Sequence, residues 1–122
     1  MALTRDFRQT ILARAQRDPR FRAAMLAEAV SELLSGDLAA GKAMLCDYAN
    51  ATLGFERLAL KLAKPGKSLQ RMLGPRGNPT AESLFGVIRV LQAAERVRLE
   101  VRSRRGRPEA PRRLPHTRLG EQ

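Results

Sequence analysis

The sequence predicts an all-α protein of five to six helices, with a short β-strand after the last helix and a basic, flexible tail. Three observations carry this. Apolar residues recur at helical spacing along most of the chain up to Leu91, as in Phe55, Leu58, Ala59 and Leu62 at i, i+3, i+4 and i+7. Caps and breakers fall between the periodic runs, at Asp18-Pro19, Ser35-Gly36-Asp37, Lys64-Pro65-Gly66-Lys67 and Gly74 to Pro79. The period changes to two at Val97, Leu99 and Val101, which alternate with Arg96, Arg98 and Glu100.

The first helix uses Phe7, Ile11, Leu12 and Ala15, with Thr4 as its cap. Asp18-Pro19, a cap followed by a first-turn proline, opens the second. It places Phe21, Met25, Leu26, Ala29, Val30, Leu33 and Leu34 toward the core and stops at Ser35-Gly36. Asp37 caps a third helix that turns Leu38, Met44, Leu45 and Tyr48 inward, and Asn50 to Gly54 is the following turn. The fourth helix, over Phe55 to Leu62, is broken by Lys64-Pro65-Gly66-Lys67, because proline removes a donor and glycine permits left-handed backbone. Ser68 caps a short fifth helix that buries Leu69, Met72 and Leu73 and leaves Lys67, Gln70 and Arg71 outside. Gly74 to Pro79 cannot be helical throughout. Thr80 or Asn78 caps the last helix, which carries Leu84, Phe85, Val87, Ile88 and Leu91. The period-two segment reads as one strand, and a lone strand needs a partner from this chain, a second copy or another protein.

The chain of 122 residues is organised as an N-terminal helical extension over 1–53, a reading unit with terminal strand over 54–101 that is compact with the extension, and a tail over 102–122. A single cysteine, Cys46, excludes an internal disulfide framework. With no secretory apolar region and no apolar run near ~18 residues, the chain reads as soluble and cytoplasmic, with no membrane partner.

Charge points to a polyanionic partner. The net charge is +11 and the pI about 11.4. It is unevenly spread: +4 over residues 1–22, −3 over 23–53, +5 over 54–78, zero over 79–101 and +5 over 102–122. The acidic stretch holds Glu28, Glu32, Asp37 and Asp47. The bland alternative is that the basic runs are solvated faces. The coincidence of charge with two helices around a tight turn favours a helix-turn-helix on double-stranded DNA, its second helix in the major groove. Gln70 suits adenine and Arg71 guanine. Lys67 and Ser68, at the start of that helix, meet a base or a phosphate. Lys64 and Arg76, with Arg57 and Lys61, are phosphate contacts or steering charges. Asn78 and Thr80 donate to a phosphate or serve only as turn and cap.

No catalytic, cofactor or metal site is expected. His116, the only histidine, sits in the tail. Cys46 lies beside apolar Leu45 and reads as a buried thiol, and no His/Cys cluster has metal-ligand spacing.

The run from Gly54 to Val101, above all KSLQRMLGPRGNPTAESLFGVIRVLQ, resembles the lambda-repressor-like helix-turn-helix regulators of the addiction-module antitoxin group. The likeness rests on Ser68-Leu69 opening the recognition helix, on a GNPT-type loop over Gly77 to Thr80, and on a final helix running into a short strand. TRDFRQTILARAQRDPRFR and LLSGDLAAGKAMLCDYANATLGF look like the N-terminal extension of one branch of that group, so the likeness covers roughly residues 4–101 and omits the tail. Lys64-Pro65-Gly66-Lys67 departs from the wider family, whose turn has a small residue with Gly-Leu-Ser or similar. The resemblance implies a DNA-binding repressor that also neutralises a small ribonuclease toxin. The expectation is therefore a sequence-specific transcriptional regulator, a homodimer paired through Val97, Leu99 and Val101. The alternative is a protein-interaction module that neutralises a toxin protein, its acidic middle facing a basic partner, with DNA binding secondary or absent. RNA binding by the tail lacks an aromatic-interleaved surface.

Overall fold

Six helices follow one another along the chain: α1 Arg5–Arg17, α2 Pro19–Leu34, α3 Leu38–Ala51, α4 Phe55–Leu62, α5 Gly66–Met72 and α6 Ala81–Glu95. The computed structural model describes residues 5–106; the expected Thr4 cap and the tail from residue 107, with His116, lie outside the described residues.

Local chemistry sets most boundaries. Asp18 accepts from the Arg20 and Phe21 N–H groups and Pro19 follows in the first turn of α2. These bonds, first that from Phe21, and the nearby Arg14 hold the Asp18 carboxyl below its ordinary pKa. Asp37 caps α3 by accepting from the Ala40 N–H at 3.0 Å, and Thr80 caps α6 by accepting from the Ser83 N–H at 3.1 Å. The Schellman arrangement ends three helices. At the end of α2, Gly36 has φ +94°, and the N–H groups of Asp37 and Gly36 donate to the Glu32 and Leu33 carbonyls. The same pattern closes α4 at Ala63 (φ 56°) and α6 at Arg96 (φ 62°), two side-chain-bearing residues in left-handed backbone.

One core runs through the molecule. α2 and α3 form an antiparallel hairpin that supplies Leu26, Ala29, Leu45, Tyr48 and Ala49; α4 and α5 supply Phe55, Leu58 and Leu69; α6 supplies Leu84, Val87, Ile88 and Leu91. Fully burying each leucine is worth about 1.5–3 kcal/mol. Gly41 lies so close to the Leu33 side chain that a Cβ would collide with it, which lets α2 and α3 approach. Phe7, Leu34, Leu38 and Phe85, expected inside, are 51%, 65%, 40% and 59% exposed. Leu34 and Leu38 flank the α2–α3 turn, beyond the reach of a facing helix.

A polar network joins both ends of this core. Arg22 Nε donates to the Glu95 carboxylate at 3.0 Å and its Nη1 to the Ala15 carbonyl at 2.8 Å. The Tyr48 hydroxyl donates to the same carboxylate. Burial first, then the bonded carboxylate, push the Tyr48 pKa well above its ordinary value of 10.0.

The described residues contain no strand, so the β-strand expected over Val97 to Val101 is not formed within the single chain as described. Exposure nonetheless alternates there, with Val97 and Leu99 half-buried and Arg98 and Glu100 exposed. Physical reasons are visible: the Val97 N–H donates to the Gln92 carbonyl at 3.1 Å and the Leu99 N–H to Gln92 Oε1 at 2.8 Å. Gln92 thus takes donors that a sheet ladder would use.

Candidate nucleic-acid interface

The α4–α5 pair begins at Gly54, whose φ of 84° and ψ of 154° suit glycine alone, and whose carbonyl accepts from the Leu58 N–H at 3.1 Å. Phe55, Leu58 and Ala59 turn one face of α4 into the core and leave Arg57 and Lys61 in solvent. The turn is Ala63-Lys64-Pro65, shorter than the expected break. Its left-handed position is Ala63, and Gly66 already belongs to α5.

Ser68 is not the cap of α5. Pro65 stands just before the helix at φ −66° and ψ 142°, and its carbonyl accepts from the Ser68 and Leu69 N–H groups at 3.1 and 3.2 Å. Proline has no N–H of its own to satisfy, so it starts the helix at no cost in donors, and Ser68 falls inside the first turn.

The short α5 is pinned on one side and open on the other. Leu69 and Leu73 are 1% and 2% exposed, and Met72 is half-buried. Lys67, Ser68, Gln70 and Arg71 are all exposed. Lys67, Gln70 and Arg71 fall at i, i+3 and i+4, so they share one stripe. Lys64 and Arg76 are exposed in the turns on either side of α5, and Asn78 and Thr80 are exposed further on. Among the described residues none of the basic side chains of this region, from Arg57 to Arg76, enters an ion pair. The Thr80 hydroxyl is occupied, as cap acceptor and as donor to Ser83 Oγ at 3.1 Å. The capping role offered for it is therefore realised.

A residue outside the expected set holds this unit together. Lys42, on α3, is 4% exposed, and its Nζ donates to the carbonyls of Gly74 at 2.9 Å and Gly77 at 2.6 Å. Gly77 folds under the end of α5, where a Cβ would strike the Arg71 and Met72 carbonyls. A cation there also faces the negative end of the α5 dipole. The extension thus positions the loop that follows α5. One signal was available: Lys42, Leu45 and Ala49 fall at i, i+3 and i+7, the spacing of an inward stripe.

Elsewhere, Cys46 is half-buried, and burial followed by the nearby Asp47 charge pushes its thiol pKa up, against nucleophilic use. No group of three or more His, Cys, Asp or Glu residues among those described could hold a metal. No helix among the described residues is long and apolar enough to cross a membrane. Comparison of the chain with protein-family models, curated proteins and solved structures finds no match.

Proposed function

We propose that this chain is a sequence-specific regulator that binds double-stranded DNA through a helix-turn-helix formed by α4 and α5, in the manner of the lambda-repressor-like antitoxin group. The observation that carries the reading is the stripe of Lys67, Gln70 and Arg71, exposed and unpaired on a helix whose opposite face is buried. Such side chains are free to bond base edges with little reorganisation. Lys64, Arg76, Arg57 and Lys61 supply phosphate contacts around them.

Dimerisation through the Val97 to Val101 segment belongs to the same reading. The Val97 and Leu99 N–H groups are taken within the chain, so Arg98 and Glu100 are the residues whose backbone would pair with a second copy, and Val101, 81% exposed, would lie in the seam. A two-fold pair sets two α5 helices on one palindromic site.

The test is quantitative DNA binding after selection from random sequence. Arg71→Ala is expected to weaken the selected site by about 1–3 kcal/mol and to relax preference at one base position. Equal loss on selected and random DNA would make Arg71 a phosphate contact, and no selected sequence at all would reject the reading. The protein-interaction alternative is favoured by one observation, the exposed acids Glu28, Asp37 and Asp47 on an α2–α3 hairpin whose turn also exposes Leu34 and Leu38. It predicts that charge reversal of those acids abolishes capture of a basic partner protein encoded alongside while DNA binding survives.

A further inference from the structure

A groove of about 560 Å3 opens where α1 lies across α2 and α3, away from the α5 stripe. Its walls are apolar: Ile11 and Leu12 on one side, Phe21 and Met25 on another, Met44 beneath. Its size falls within the roughly 300–1,000 Å3 of small-molecule sites. The covering helix is lightly held, with Ile11 and Leu12 only half-buried. Two methionines in the lining give a surface that adapts to different shapes.

The rim carries the chemical information. Glu28 and Asp47 line the groove from neighbouring helices, with Arg8 the only cation among the lining residues. Among the described residues neither carboxylate enters a hydrogen bond or an ion pair. Asp47 is an exposed residue whose partial burial raises its pKa, opposed by the charge of Arg8. These acids belong to the one stretch of negative net charge in a chain of net charge +11. The bulk field of the protein repels cations, so any preference for a cation must arise locally.

We propose that this groove binds a small amphiphilic cation, its apolar body between α1 and the two methionines and its amine against Glu28 and Asp47. This holds whether or not α5 reads DNA.

The test uses the full chain and dansylcadaverine, a fluorophore on an alkyl primary amine, beside the matching N-pentyl dansylamide that lacks the amine. The expected result is saturable one-to-one fluorescence enhancement with the amine, roughly five- to tenfold tighter than with the neutral probe. Glu28→Gln and Asp47→Asn should each erode that ratio, and Ala24→Trp, which places a ring from an exposed position into the groove, should abolish binding of both probes. Glu28 is exposed and its variant keeps the test valid should the tryptophan disturb folding. Equal affinity for the two probes, or a ratio indifferent to both carboxylates, would overturn the proposal. So would loss of probe binding on raising protein concentration, which would mean that a second copy fills the groove.

Discussion

Lys42→Met keeps an apolar stem of nearly the same length and removes the Nζ. The Gly77 carbonyl then loses its donor, and the Gly74 carbonyl keeps only the Gly77 N–H. An unsatisfied buried carbonyl costs about 1–3 kcal/mol. Both glycines are half-buried, so water partly replaces the missing partner at Gly77, and with the smaller loss at Gly74 the cost is about 1–2 kcal/mol. Relief of the lysine's own desolvation works the other way, but its bonds to the loop are only part-buried, which holds this offset below about 1 kcal/mol. The net expectation is about 1 kcal/mol, a fall in Tm of roughly 4–5 °C for a domain of this size. Urea unfolding followed by circular dichroism reads the change, with Lys64→Met, an exposed turn lysine, as a control expected within about 0.5 kcal/mol. Hydrogen exchange gives an independent reading: the Gly77 amide, bonded to the Gly74 carbonyl at 3.0 Å, should exchange faster while the amides of α2 keep their protection. A Lys42→Met protein as stable as the parent, with an unchanged Gly77 amide, would refute the clamp.

Ala63→Gly should stabilise the chain by about 0.5–1 kcal/mol, because the left-handed position closing α4 penalises a Cβ, and a chemical melt checks it. Asp18→Ala should destabilise at neutral pH; since the folded pKa of Asp18 is lowered, its contribution is present above its ordinary value of 3.8 and disappears as pH falls through the folded value, so parent and variant melts should converge in acid. Val101→Asp, which sets a charge at an exposed position in the proposed seam, should weaken operator binding and produce monomers in sedimentation if the segment pairs between copies; an unchanged dimer would place the interface elsewhere. Removing residues 102–122 should lower affinity for random DNA and flatten its salt dependence, by roughly 0.9 in log K per log salt for each phosphate no longer neutralised, while the selected site stays preferred.

Legibility in the sequence follows the range of each interaction. The caps Asp18, Asp37 and Thr80 act on N–H groups two or three residues away, and local pattern suffices to find them. The start of α5 is easily misread because serine after a Pro-Gly pair looks like a cap, whereas the Pro65 carbonyl opens the helix and leaves Ser68 nothing to cap. The exposed stripe of Lys67, Gln70 and Arg71 is legible because Leu69 and Leu73 fix the rotation of so short a helix. Lys42 is not, since a lone lysine between acids reads as a solvated charge unless its place on the apolar stripe is weighed. The course of residues 97–101 turns on a side chain: nothing in a period-two pattern announces that Gln92 will turn back and accept from Leu99. The Arg22, Tyr48 and Glu95 network spans up to 73 residues of sequence, which no local rule reaches.

That network has a bearing on how the chain is made. Glu95 is the last residue of α6, and its partners are synthesised long before it. Until it leaves the ribosome, the Arg22 guanidinium and the Tyr48 hydroxyl lack their shared acceptor, and the core faces of α2 and α3 lack the α6 leucines and valine that cover them. Folding of the N-terminal half is therefore provisional and locks only on arrival of the C-terminal third, a long loop closure of the kind that slows folding. It also follows that α4 and α5 cannot be transplanted alone into another protein. Cut at residue 54, they would carry Leu58, Leu69 and Leu73 into solvent and leave Gly74 and Gly77 without their lysine.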